Sequence, residues 1–425
     1  MTSELMATPP APVDALYPRR FRAGGERNRR LGRPLKVAGR VRGGVDEALL
    51  SRIGRAMTER DELGARLAVA MRLRAGDPER VTMGQLRAAL AGGLVAVPDA
   101  PPALVDFFAE IEQEPEWLDW DLLDEGARVY RRLGQNAQDV LLQLSLVGGY
   151  RFGGPTDLLV MTGSLSGGQT VRRLAETQKW GSTLSDPGAM VPPRDGQSPG
   201  EGWRLTAHVR AMHALVNHSF ESSPEWDAEE FGLPINQADL ASTLGLFDGV
   251  LIIGARALGV PVPAGEARAL MHLWKYVGWL IGVDDEFLVD DEWERHRFDY
   301  HVLLAQGPMT DAGPRLAHAV VDAQGDRHYA GWPGPLQGLR ARYEKERLLS
   351  MLTVFLGPTS MREFGLPIRP PWAHAYVVGL NTVRYRVLKH LPGGRDRLWR
   401  WGARRAQGLL DSYFLGQQED VGGLR

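Results

Sequence analysis

The stretch LTAHVRAMHALVNHSF, residues 205–220, places His208, His213 and His218 at intervals of five. At about 100° per helical residue, each step of five turns the imidazole by about 140°, so the three cannot converge on one ion. Leu205, Val209, Met212, Val216 and Phe220 instead fall close to one stripe, the pattern of an amphipathic helix, and His213 lies inside it. The expectation is one inward-pointing histidine, with His208 and His218 flanking the stripe and meeting solvent or polar neighbours.

Helical periodicity extends over most of the chain. From about residue 46 it runs through VDEALLSRIGRAMTERDELGARLAVAMRL, PALVDFFAEIEQ and LDEGARVYRRLGQNAQDVLLQLSLVGGYRF. It resumes in INQADLASTLGLFDGVLIIGARALGV, GEARALMHLWKYVGWLIGV and GPLQGLRARYEKERLLSMLTVFLG. Strand-type alternation is almost absent, so the fold class is all-α. Asn236 with Asp239 three residues on caps one of these helices. Residues 1–44, rich in Pro, Gly and Arg, read as an extended basic arm, and residues 45–425 as a single helical domain. The segment between Lys179 and Gly202, dense in Gly, Pro and Ser, is a loop that could act as a lid over the helix it enters. The C-terminal run RYRVLKHLPGGRDRLWRWGARRAQG reads as an Arg-rich helix pair carrying Trp399 and Trp401.

Among 425 residues, 50 Lys and Arg balance 52 Asp and Glu, so no overall basic field points to nucleic acid or an anionic membrane. The partner expected is a small molecule. The absence of cysteine removes disulfides, thiolate haem ligands and cysteine-held iron–sulfur clusters. No apolar export segment follows the first arginines, and the most apolar stretches are interrupted by Asp248, Arg256 or Lys275. The reading is a cytoplasmic protein with no transmembrane segment.

Motifs exclude further classes. No Gly-Lys dipeptide occurs, so there is no P-loop, and no Glu precedes a His by three residues, as di-iron bundles require. Neither His-Glu-x-x-His nor His-x-Asp/Glu is present. Asp290-Asp291-Glu292-Trp293-Glu294 fits the Asp-Asp-x-x-Glu pattern by which helical prenyl-diphosphate enzymes hold Mg²⁺. Charge runs are usually solvated, however, and a polar connection is the expectation there.

Two helices keep polar groups at helical spacing. Arg173 and Thr177 are four apart, with Trp180 a turn further, and Arg210 stands one turn before His213. A haem accounts for these together: a neutral imidazole as axial ligand, a flat ring against Met212 and Val216, and arginines for its propionates. The plainer alternative is that His213 is a hydrogen-bonded core residue and Arg173 a surface guanidinium. Composition and spacing alone leave a helical protein without an assigned function.

In RRLAETQKW, VRAMHALVNHSF, GLPINQADLASTLGLF and ALMHLWKYVGWLIGVDDEF, taken in order, the chain resembles the rubber oxygenase (latex clearing protein) and MpaB-type oxygenase family. The resemblance implies a globin-like helical core with additional N- and C-terminal helices around a haem b. It also implies O₂ as co-substrate and oxidation at a C=C bond of an apolar, isoprenoid-like small molecule. The family's Arg-x-x-His ligand motif falls on Arg210 and His213, making His213 the metal ligand, with Met212 and Asn217 beside the cofactor. Its Arg-x-x-Lys-Thr falls on Arg173, Glu176 and Thr177, with Glu176 replacing the lysine that can close the sixth iron position. Its catalytic glutamate falls on Asp157, and its arginine one turn after the histidine on Asn217. Peroxidase or monooxygenase chemistry on the same pocket, and a non-catalytic haem or apolar-ligand carrier, are the alternatives. A need for an electron donor is left open.

Overall fold

The computed structural model describes residues 16–163, 169–194, 197–329 and 331–414. They form helices joined by turns, and among the described residues the one β pairing is an isolated bridge between Arg194 and Gln197. The all-α class follows.

At the centre lies the helix Ala264–Ile281, buried on nearly every side from Ala267 on, with Leu270, Met271, Leu273, Trp274, Tyr276 and Val277 in the core. Such a helix is stable only inside a core. It stops at Gly282, whose φ of +90° places it in the left-handed region that lets the Val283 amide turn back to the Gly278 carbonyl. The helix Trp120–Leu133 packs directly along it, and a Cβ at Gly126 would stand 2.2 Å from the Ala269 carbonyl oxygen. Alanine in a helix interior ordinarily gains up to about 1 kcal/mol over glycine. At Gly126 it must force two backbones apart, and overpacking of this kind costs about 1–3 kcal/mol. Gly126→Ala is therefore expected to lower the urea unfolding midpoint, and a raised midpoint would show that the helices do not need this contact.

The run from residue 123 to 152 reads as one helix but is broken. Gly134, at φ +53°, ends the first part, because the C-terminal helix Gly394–Phe414 docks there with the Gly402 Cα 2.8 Å from where a Cβ would lie. Beyond the break come Gln135–Val140 and a π-helical turn, Leu141–Leu146. Wide turns of this kind often mark functional sites, because they displace side chains from α-helical register.

Residues 16–44 are not an extended arm. They contain the helix Gly25–Ala38, which lies on Glu292–Ala305 with Asn28 buried and donating to the Gln306 carbonyl at 2.7 Å. The basic run acts as a fastener: Arg20 is buried against Asp239 and the Phe231 carbonyl, Arg22 meets Glu47, and Arg27 meets Glu363. Residues 1–15 lie outside the described residues.

The acidic motif is also consumed locally. Asp290 pairs with Lys275, Asp291 caps the helix Glu292–Ala305, and Glu292 bonds Arg256 and His296. Residues 237–257 are long and apolar enough to cross a membrane, but they form two helices, Gln237–Phe247 and Gly249–Ala257, and 67% of the apolar window is buried in the fold. The break is Asp248, held by Arg295 at 3.0 Å. The expected Asn236 cap is present, its Oδ1 accepting the Asp239 amide at 2.9 Å.

Candidate haem-ligand and oxygen site

Residues 201–221 form one helix, Glu201–Glu221, as the periodicity predicts, but it is turned from the expected orientation. Its packed face mixes small and large residues: Thr206, Ala207, Ala211 and Ala214 are buried with Trp203, Arg210 and Asn217. Small residues let it approach Glu62–Arg72 closely enough that a Cβ on Gly64 would lie 3.0 Å from that of Ala214. Of the large apolar stripe only Leu205 is buried, while Val209, Met212, Val216 and Phe220 remain half-buried beside His213. His208, expected near solvent, is 3% exposed, because the first half of the helix, residues 202–211, is enclosed on nearly every side.

The helix Gln169–Thr183 runs antiparallel to this one. Trp180 donates from its indole to the Thr206 hydroxyl at 3.0 Å, and at the other end Arg173 lies close enough for its charge to act on His213. Neither ring nitrogen of His213 makes a hydrogen bond among the described residues, and Nδ1 is buried without a partner. Burial, reinforced by Arg173 and opposed by Asp61, pushes the imidazole down to about 4. At neutral pH it is an uncharged ring with a free lone pair, the form that ligates a metal. No three His, Asp or Glu side chains gather as metal ligands among the described residues. What the chain offers a metal at this point is a single imidazole donor.

The other residues divide. Arg210 is buried and engaged: Nε and Nη2 donate to Asp61 at 2.7 and 2.8 Å, Nη1 donates to Glu110 at 2.8 Å, and its face covers Phe107. It anchors the helix, with three of its five N–H donors committed to the two carboxylates. Asn217 accepts the Ile235 amide at 2.9 Å and, with His213 and Asp61, borders a void of about 20 Å³. Asp157 caps its own helix, Pro155–Met161, accepting the Gly154 amide at 2.9 Å and the Thr310 hydroxyl at 3.0 Å. Its carboxylate is not among the lining of the large cavity described next.

Arg173 and Thr177 do line that cavity, which has a volume of about 620 Å³. Thr177 is exposed to it and its hydroxyl donates to the Arg173 carbonyl at 3.1 Å. Glu176 is buried and is not part of the cavity lining, accepting from Arg172 at 3.1 Å and Arg173 at 3.3 Å. The π-helical turn supplies Leu141, Leu142, Gln143, Ser145 and Leu146 to the wall. A buried pair, Asp139 with both Nη atoms of Arg347, sits in the wall as well. Sequence reading missed this pair, although Gln135, Asp139 and Gln143 at steps of four mark a polar ridge on an otherwise apolar segment.

The expected lid is not free. Leu184, Ala189 and Met190 of the loop are buried, and Arg194 pairs with Glu114 at 2.8 Å. Residues 196–200 of this loop read Gly-Gln-Ser-Pro-Gly; among the described residues Ser198 leads into the helix Glu201–Glu221 with no strand before it, unlike the strand-to-helix turn of a serine nucleophile.

The family described as "ER-bound oxygenase mpaB/B'/Rubber oxygenase, catalytic domain" matches residues 131–388. The chain belongs to this family. The match includes every residue of the His213 and Arg173 helices. A rubber oxygenase of Streptomyces sp. (strain K30) is 26% identical over 267 residues, which is 60% of this chain and 60% of that protein. The matched part thus spans three-fifths of the curated relative. Latex clearing protein in its closed state is similar in fold, with a TM-score of 0.62 and 21% identity over 86% of this chain and 92% of that one.

Proposed function

We propose that this family member is a haem b-dependent oxygenase using O₂ on an apolar, unsaturated small molecule, with oxygen added at, or cleaving, a C=C bond. The observation that carries the proposal is His213: an uncharged imidazole with no hydrogen-bond partner among the described residues, across from Arg173, in a chain of an oxygenase family. When bound, the haem supplies the oxygen-activating iron. His213 would hold it, and the half-buried Met212 and Val216 would give it an apolar floor.

Arg173 and Thr177 belong to the opposite side. Arg173 keeps a positive charge at the cavity edge, steadied by Glu176, and so favours negative charge developing there. Thr177 can turn its hydroxyl from the Arg173 carbonyl toward the cavity and donate to an oxygen atom. The leucines of the π-helical turn and Phe247 keep the cavity wall apolar. Asp157, committed to its cap and to Thr310, is a positioning carboxylate in this scheme and not a proton acceptor.

The first test is an absorption spectrum of the purified protein, which should show a haem Soret band. Arg173→Ala and Thr177→Ala should keep that band while oxygen-dependent turnover of an alkene falls by about 100-fold. If either variant loses haem but reacts normally once reconstituted, the oxygen-side role is wrong. Haem binding without turnover of any alkene would point to the carrier reading.

A further inference from the structure

The large cavity is apolar on one wall and strongly basic on the other. Leu142, Leu146, Leu246 and Phe247 come from the first part of the chain and the helix Gln237–Phe247. The arginines, Arg173 apart, come from residues 327–405. Seven guanidiniums face two carboxylates in the lining, in a protein whose total formal charge is −2. The positive excess is therefore local.

Arg347 and Arg340 are matched by Asp139 and Glu344. Arg327, Arg384, Arg404 and Arg405 have no carboxylate partner among the described residues. Arg327 donates only to neutral oxygens, of Ser412 and Gln324, and its guanidinium carbon lies 4.4 Å from the Tyr413 ring centre and 5.1 Å from that of Tyr329. Arg384 stands 4.4 Å over Trp401. Burial, and the neighbouring charge of Arg405, lower its affinity for its proton. Planar cations held on aromatic faces, without counterions and beside an apolar wall, are preorganised to take an anionic group.

We propose that this cavity binds an amphipathic anion: an unsaturated apolar chain ending in a carboxylate or a phosphate. The head meets Arg327, Arg384, Arg404 and Arg405, and the chain runs along the leucine wall toward Arg173 and Thr177. This names the substrate class of the oxygenase reading and rests on that reading for the word substrate. The binding itself does not depend on it.

The test is equilibrium binding to the haem-loaded protein, read by quenching of tryptophan fluorescence, since Trp332 and Trp401 line the cavity. The probes are oleate and farnesyl phosphate, each compared with its neutral alcohol. Each anion should bind about tenfold or more tighter than its alcohol at low salt, and the advantage should shrink at high salt. Arg404→Gln/Arg405→Gln, a change of exposed side chains, should remove most of that advantage while leaving alcohol binding in place. Arg384→Gln should act in the same direction. Equal affinity for acid and alcohol overturns the proposal. So does an acid preference untouched by both variants, or one present only in haem-free protein, which would assign the arginines to the haem propionates. A preference for one head group over the other identifies the source of the anion. Anion binding by a protein that never consumes an alkene leaves this site standing and removes the oxygenase reading.

Discussion

His213→Ala should abolish haem retention, cutting the haem content of the purified protein by about tenfold or more, while His208→Ala and His218→Ala retain it. Of the three, His213 is the one whose imidazole lies close enough to Arg173 to feel its charge, on the half-buried apolar face. His208→Ala removes a buried ring and should lower stability, so haem content must be measured on folded protein. Added imidazole should restore the Soret band of His213→Ala, a rescue that a merely structural histidine would not show. Protons compete with iron for the ring, and burial pushes the His213 imidazole down to about 4. Haem uptake by the apoprotein should then stay level as pH falls from about 8 to 5 and drop as pH falls toward 4. An exposed histidine would lose uptake already near 6.5. Equal haem loss in all three alanine variants would refute the assignment.

Local periodicity carried much of this reading and also set its errors. A helix over residues 205–220 follows from spacing alone, and so does the cap at Asn236. The rotation of that helix does not. Large apolar residues mark a face that avoids water, but alanines and Thr206 decided which face packs, because they admit the neighbouring backbone. The stripe was left half-covered beside His213, so what reads as a core face is only partly one.

Arg210 shows the limit of spacing in another way. Its place one turn before His213 suggests a shared site, yet its partners are Asp61 and Glu110, on segments that no local pattern connects to it. Arg20 and the rest of the basic run likewise found carboxylates far along the chain, at Asp239 and Glu363. A charge run is read as solvated when its partners are distant in sequence. The basic cavity was invisible for the same reason: Arg327, Arg384 and Arg404 belong to separate segments, and only the fold brings them together.

Glu176→Lys should change the iron more than any other single substitution that leaves the proximal ligand in place. The family resemblance implies that Glu176 stands in place of a lysine able to close the sixth iron position. Here the carboxylate is 9% exposed and shared between Arg172 and Arg173, so it is held by cations and is not available to iron. Ferric wild-type protein should accordingly be high-spin or water-bound and take up cyanide or imidazole without a slow opening step. Lysine at 176 would lose both ion pairs and gain two cationic neighbours in a buried setting, conditions that lower an amine's pKa and populate the neutral, ligating form. Part of the iron should become low-spin with a nitrogen sixth ligand, and ligand binding should slow by about tenfold, as an opening step then precedes it. Glu176→Gln removes the charge without offering an amine and should keep the wild-type spectrum. Absorption and electron-spin spectra with stopped-flow cyanide binding on the three proteins decide the matter. If the wild type is already low-spin with a nitrogen ligand, the site is closed by another residue, and Lys179, three positions further along the same helix, is the one to replace next.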